Sequence, residues 1–423
     1  MRILPEYKKK KVKGRVKPKN KVNTINDVKM KPAKNGEQSS SSSVKVVKGG
    51  KLVRMRRIRI LAATIAVIAL ICIVLDFILP AGLVEGVVNF TARFGGGSYP
   101  ISVYGSDILD TKYSSTGYFM LTDTKLTAMN DSGKEILSVN HGFSNPYLVT
   151  SETRALIFDQ GGNELCVYNL KEKKNDLVTK NKIVNASIGR DGTFAVVTHS
   201  DSYAATVTVY NIDSNVIYEW NAAKDLISSV AVAPSGKEIA VGTVYVENGQ
   251  YKTSVQILEF DSANAKFTTD LNGQLPLMLD SNNKGVSVIS ENAYNFIRWN
   301  KNDKTEIKSE YSIDKFRKSS GRILLSLNHK GNKSENIIML LDTKGNKICE
   351  FKYNGNITDI APYGNHIYCL TDNNIIILDK EGNVLRSGKS GYGAVRIKVL
   401  DSNSVAVISN TSIEKITLNK EVD

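Results

Sequence analysis

The chain has 423 residues, 41% apolar and 8% aromatic, enough for two or three domains with packed cores and too apolar for a disordered protein throughout. Its formal charge of +14 suggests a nucleic acid or an acidic surface as partner, but the charge is local. Residues 1–57 carry 19 basic and 3 acidic side chains, whereas residues 58–423 carry 37 and 39, so the excess belongs to a tail.

That tail contains "YKKKKVKGRVKPKNK" and five consecutive serines at 39–43, with too few large apolar residues to bury. Residues 1–57 are expected to be a disordered basic arm that keeps the N-terminus in the cytoplasm. Contact with anionic lipid headgroups, at roughly 1 kcal/mol per basic residue near the surface, is the second reading. No interleaved aromatics and no folded nucleic-acid motif accompany the lysines, so no nucleic-acid partner is expected.

"RMRRIRILAATIAVIALICIVLDFILPAGLVEG" follows, uncharged from 60 to 75. A helix over 58–79 would be roughly 33 Å long at about 1.5 Å per residue, enough for a hydrocarbon core of about 30 Å. Arg54, Arg56, Arg57 and Arg59 precede it while Asp76 and Glu85 follow, which orients a single-pass span with its N-terminus inside and everything beyond about residue 80 outside. The apolar run is longer than a signal-peptide core and no A-x-A site follows it, so an uncleaved anchor is expected. Asp76 is placed at the outer headgroup level, its alternative being an intramembrane carboxylate. Residues 80–100 contain "FGGGSYP" and read as a Gly-rich joint, with a short interfacial helix over 81–94 fitting the pattern.

From residue 101 to 421 the sequence repeats itself. "LTDTKLTAMNDSGKEIL" at Leu121 returns as "LTDNNIIILDKEGNVL" at Leu370, and eight short turns separate apolar, strand-like segments. They are "SSTGYFML", "TSETRALIF", "GRDGTFAVV", "APSGKEIAV", "SNNKGVSVI", "KSSGRILLSL", "PYGNHIYCL" and "LDSNSVAVI". Their equivalent positions, Gly117, Arg154, Gly192, Lys237, Gly285, Gly321, Asn365 and Ser404, are 37, 38, 45, 48, 36, 44 and 39 residues apart. Further turns such as "MNDSGKEI", "LLDTKGNKI" and "ILDKEGNVL" place Gly three residues after Asn or Asp, where a left-handed conformation suits it. Four antiparallel strands per unit at a period near 40 predict an all-β propeller. Eight blades are expected, with seven as second choice because the unit at Thr150 is the weakest copy. The last copy has three strands, and "YPISVYG" is expected to supply its fourth and close the ring.

The "APSGKEIAV" turn and the blade spacing resemble WD-repeat and TolB-type propellers, although the Gly-His and Trp-Asp dipeptides of the WD pattern are missing. With only Trp220 and Trp299, the tryptophan-docking pattern of quinoprotein propellers is missing too. The layout of basic tail, single helix, Gly-rich joint and "YPISVYGSDI" resembles an uncharacterised family of bacterial single-pass membrane proteins with a propeller ectodomain. That resemblance implies an exported, anchored propeller and transfers no catalytic residue.

No chemistry stands out. His141, His199, His329 and His366 fall in different units without ligand spacing, though His199 and His329 end the second strands of theirs. Asp123, Asp159 and Asp372 recur after second strands and read as turn residues, with a cation site at one channel mouth as the alternative. Cys166, Cys349 and Cys369 read as structural thiols, a Cys349–Cys369 bond being the exception to examine. No Ser/His/Asp set, phosphate loop or paired carboxylates appear, so neither cofactor nor enzyme activity is expected. One departure from the repeat is the long hairpin "VGTVYVENGQYKTSVQIL" at 241–258, whose Tyr245, Glu247, Asn248 and Tyr251 form a candidate partner-binding loop, the alternative being an extended hairpin that only pairs with itself. The expected function is therefore an interaction scaffold in the cell envelope that recruits a protein or cell-wall component, the alternative being a sensor with a small ligand in the channel.

Overall fold

The computed structural model describes residues 50–78, 91–92, 94–103, 107–114, 117–329 and 332–420. It divides into two units, Met1–Ala66 and Val67–Asp423, the propeller lying wholly in the second. The α-helix Gly50–Ile78 begins eight residues before the expected start, so the end of the expected basic arm is helical. The rest of that arm lies outside the described residues, as do the side chains of Arg54, Arg56 and Arg57 and most of the 81–94 segment. Side chains are described at Met55 and at 58–71, and all of them, Arg59 included, are exposed. Among the described residues no helix is long and apolar enough to cross a membrane.

Residues 101–420 form eight antiparallel sheets, seven of four strands and one of five. Blades 1 to 8 span residues 108–140, 146–178, 183–222, 226–270, 278–308, 312–354, 359–389 and 394–417. The unit at Thr150 is a complete blade with strands Pro146–Thr150, Arg154–Asp159, Glu164–Asn169 and Lys173–Val178.

The second strand of each blade is buried on both sides, which explains why these segments read as unbroken apolar runs rather than alternations. In Phe194–Thr198 of blade 3, Phe194 and Val196 pack toward blade 2 while Ala195 and Val197 pack toward blade 4. The core is correspondingly divided into eight clusters, one between each pair of neighbours. The cluster joining blade 8 to blade 1 sets Ala406, Ile408 and Ile413 against Tyr118, Met120 and Met129. "YPISVYG" does complete blade 8, with Ile101 opposite Ile413 and Ser102 opposite Ser412, but over two residues only. The other end of the chain turns back, and Asn419–Lys420 pairs with Ser387 and Arg386 as a fifth strand of blade 7.

The repeated "D-x-x-G-N" stretch is one hydrogen-bonded turn built twice. Asp342 Oδ1 accepts the backbone N–H groups of Lys344 (2.8 Å) and Asn346 (2.9 Å), and its Oδ2 accepts Asn346 Nδ2 (2.8 Å). Asp379 does the same with Glu381 (2.9 Å) and Asn383 (2.8 Å and 2.9 Å). Gly345 sits at φ 78, and a Cβ there would meet Phe296 of the preceding blade. Burial raises the Asp342 pKa, but the bonds from Asn346 and Lys344 outweigh it and the net shift is downward. For Asp379 the Asn383 amide is the main cause of the lowering. A depressed folded-state pKa contributes stability above the unfolded value of about 4 and loses it as pH falls through the folded value. Asp342→Ala should therefore lower Tm by about 2–4 °C at pH 7, for about 1 kcal/mol of lost hydrogen bonding. Melts repeated toward pH 2 should show the gap between variant and wild type closing.

Candidate interaction surface

A meander of four strands puts the hairpins joining strands 2 and 3, together with the blade-to-blade connections, on one face of the ring. The turns joining strands 1 to 2 and 3 to 4 lie on the other. Most exposed large apolar side chains of the propeller sit on the first, loop face, among them Tyr203, Leu226, Val246, Tyr251, Leu275 and Leu277. Tyr251 is 72% exposed, Leu226 64%, Val246 63% and Leu277 54%, values that a water-soluble surface has no internal reason to maintain in one region.

This region, where blades 3, 4 and 5 meet, is fixed from beneath. The long hairpin expected in blade 4 is present as two paired ten-residue strands, Glu238–Glu247 and Gln250–Glu259. Tyr245 pairs with Lys252, Val246 with Tyr251 and Glu247 with Gln250. Asn248 (φ 52) and Gly249 (φ 75) make the two-residue turn that such a hairpin needs. Tyr245 is half-buried beneath Lys224 Nζ, 5.6 Å from its ring centre, whereas Glu247, Asn248 and Tyr251 are exposed.

Beside the hairpin runs the connection to blade 5, "LNGQLPLM". Leu271 N–H donates to Thr253 O (2.9 Å), and Ser228 Oγ donates to Pro276 O (2.8 Å). Gln274 is held by Glu306 Oε1 (2.6 Å) and Asn295 Nδ2 (2.8 Å). Leu275 and Leu277 are thus presented on a pinned loop. They were not singled out from sequence, although apolar residues straight after Asn-Gly, in a stretch that must be a connection, were the available signal.

The second site missed from sequence lies in the first strands, which line the channel. Arg317 of blade 6 sends Nη2 to both carboxylate oxygens of Asp359 in blade 7 (2.7 and 2.8 Å). Asp359 Oδ2 also accepts the Ile397 N–H of blade 8 (2.9 Å), and the Arg317 guanidinium lies 4.2 Å from the ring centre of Tyr113 in blade 1. Lys398 of blade 8 reaches Asp131 (3.6 Å) and the Ser114 carbonyl (3.5 Å) of blade 1. Burial lowers the Lys398 pKa against the pull of Asp131, and burial raises that of Tyr113 against the pull of Arg317.

The remaining candidates stay apart. His141 bonds the Thr122 carbonyl (3.0 Å) in blade 1 and His329 meets Tyr311 edge-on in blade 6, while His199 and His366 belong to blades 3 and 7. Asp159, which ends its strand, accepts the Asn145 N–H (2.7 Å), Asp372 accepts Asn356 Nδ2 (3.2 Å) from a bend, and Asp123 is exposed. Among the described residues no group of three His, Cys, Asp or Glu side chains is placed to hold a metal. Cys166, Cys349 and Cys369 are free thiols. Cys349 and Cys369 border the same apolar cluster between blades 6 and 7, where burial pushes the Cys369 thiol up to about 12.

Eight blades, seven sheets of four strands and one of five, with one loop-rich apolar face define an eight-bladed β-propeller. Residues 103–418 match the model of a family of unknown function (DUF5711), and the chain belongs to that family. A search of curated proteins finds no match. Among solved structures, the C-terminal WD40 domain of Sif2 is similar with 12% identity and a TM-score of 0.51, over 78% of this chain and 100% of that one. The computationally designed Ika8 protein is similar with 11% identity and a TM-score of 0.51, over 76% of this chain and 100% of that one. BamB from Moraxella catarrhalis gives 13% identity and a TM-score of 0.47, over 77% of this chain and 100% of that one. The likenesses to the Sif2 domain and to Ika8 show the fold alone.

Removing one partner of the channel ion pair leaves the other charge buried. Arg317→Met should cost about 3–5 kcal/mol in chemical denaturation, because Asp359 is then uncompensated at 7% side-chain exposure. Adding Asp359→Asn, which keeps an acceptor for the Ile397 N–H, should recover most of the loss.

Proposed function

We propose that this protein is a non-catalytic, single-pass membrane scaffold whose extracytoplasmic propeller recruits a protein or cell-envelope component through its loop face. The observation that carries this reading is the pinned apolar surface around Leu226, Val246, Tyr251, Leu275 and Leu277. A rigid, exposed set of aromatic and aliphatic anchors offers binding energy with little ordering cost. The expected loop residues Tyr245, Glu247, Asn248 and Tyr251 form one edge of that set, and the "LNGQLPLM" connection forms the other.

The anchor is supported by the uncharged run at 60–75 behind Arg54, Arg56, Arg57 and Arg59, and by the exposure of every described apolar side chain from Ile58 to Ile71. In this reading residues 1–57 are the cytoplasmic basic tail, able to touch anionic lipid, 58–79 the span and 80–100 the joint. The joint enters the propeller on its turn face. Ala92 is buried in the cluster between blades 1 and 2, and Gly95 O accepts Ser132 Oγ (2.7 Å) in a turn of blade 1. The alternative, a sensor holding a small ligand in the channel, has less room, because the Arg317, Asp359 and Tyr113 side chains already meet there.

Tyr251→Asp and Leu277→Asp in the full-length chain should each reduce crosslinked recovery of a native-membrane partner at least tenfold while leaving Tm within about 1 °C, since both side chains are exposed. Undiminished recovery with both variants would remove the loop face from consideration. The anchor makes its own prediction: alkaline carbonate should leave the protein in the membrane pellet, and external protease should reach the propeller. Release into the supernatant would contradict the span.

A further inference from the structure

Blade 8 lacks most of a strand. In blades 1 to 7 the fourth strand is five to eight residues long, but in blade 8 it is Ile101–Ser102 alone, set beside a third strand of six residues, Ser412–Thr417. The Val103 N–H donates to the outward-facing Thr411 carbonyl (2.9 Å), while the Leu418 N–H donates inward to the Asn403 carbonyl (2.8 Å). Because antiparallel ladders alternate, 413, 415 and 417 turn outward too, while Glu414 and Ile416 bond inward to Val407 and Val405. Ile413 is met by Ile101. Lys415 and Thr417 have no backbone partner on that side among the described residues.

The chain does not fill this edge, because it arrives from elsewhere. Gly97 packs against the backbone of Gly133 and Lys134 in blade 1, too close for any Cβ, and Pro100 has no N–H to offer a ladder. A cleft of about 670 Å³ remains between the blade 8 edge and the blade 1 turn, lined by the entering chain at 97–100, by Asp131 and Ser132, and by Glu414, Lys415 and Thr417. That size is in the range of clefts that hold ligands, roughly 300–1,000 Å³.

We infer that this slot is a peptide-binding site, in which an extended segment of a protein partner adds to blade 8 as the missing part of its fourth strand. Main-chain bonds to Lys415 and Thr417 supply the affinity, as in other strand additions. Side chains on one side of the segment face Asp131 and Ser132, and those on the other lie along exposed Glu414 and half-buried Ile416, so the segment alternates polar residues with β-branched residues opposite Ile416. An edge strand of a second copy would bring its own blade with it. Asn419 and Lys420 are not the occupant, since they pair with Ser387 and Arg386 of blade 7. The site is independent of the loop face.

The test uses the full-length chain in detergent. Amide hydrogen exchange should be at least about 100-fold faster at Lys415 and Thr417 than at Glu414 and Ile416; protection of all four would show that something already covers the edge and would overturn the proposal. Panning a phage-displayed library of linear heptapeptides should then enrich alternating polar and β-branched sequences. Binding of the enriched peptides should slow exchange at Lys415 and Thr417 and weaken at least tenfold on Thr417→Pro, which removes an outward donor and leaves the inner ladder intact. Ser132→Trp fills the slot without touching the edge and should weaken binding equally, which guards against a proline variant that fails to fold. A library that enriches nothing, peptides indifferent to both variants, or a chain that self-associates through this edge would each overturn the assignment.

Discussion

The second strand of every blade is apolar toward both neighbours, so no blade has a face it can leave in water, and the ring has to close. Each of the eight core clusters is shared by two blades. Removing any one interface would expose a cluster of about six to twelve buried side chains, each worth about 1.5–3 kcal/mol when fully covered. The seam between blade 8 and blade 1 is therefore the point on which the rest of the domain depends. Its apolar part, Tyr118 and Met120 against Ala406 and Ile408, is packed like the others.

The same constraint explains what could be read from sequence. Two-sided burial makes the second strands continuous runs such as "GYFML" and "FAVVT", and these, each behind its turn, gave the period and the blade number. The Asp342 and Asp379 turns are local, closed within five residues, and so appear as the repeated "D-x-x-G-N". The closing strand was legible because "YPISVYG" is apolar and has no partner nearby. Its length was not, since Gly97 and Pro100 divert the chain through contacts with a turn more than 30 residues away. Arg317, Asp359 and Tyr113 were illegible for a stronger reason. They come from blades 6, 7 and 1, and nothing in a first strand such as "SIDKFRKS" shows that its arginine will meet an aspartate 42 residues on.

The two faces of the ring differ in what they ask of the sequence. The turn face is built from Asp, Asn and Gly held by their own hydrogen bonds, and it receives the entering chain at Ala92 and Gly95. The loop face carries longer connections whose side chains are free of that duty. Around blade 4 they are nonetheless immobilised, by Gln274 between Glu306 and Asn295 and by Ser228 on Pro276. Polar groups beneath the surface do the fixing and apolar groups above it are left exposed. That division suits binding better than solubility, because the ordering of the loop is completed before any partner arrives.

A two-residue fourth strand is a weak closure by main-chain bonds alone, and the channel side of the seam supplies what it lacks. Arg317 and Asp359 join blades 6 and 7, the Ile397 N–H brings in blade 8, and Tyr113 and Lys398 carry the connection to blade 1. A buried ion pair is a poor source of net stability compared with apolar residues of the same volume. Its geometry is strict, however, and a carboxylate that must meet a guanidinium on one side and a main-chain N–H on the other admits one relative placement of three blades. The network fixes how the last blades meet the first, while the apolar cluster provides the adhesion. With register and adhesion both secured away from the outer edge, the fourth strand of blade 8 is released from the duty it has in other blades, and the slot beside Lys415 and Thr417 can stay open at no cost to the ring.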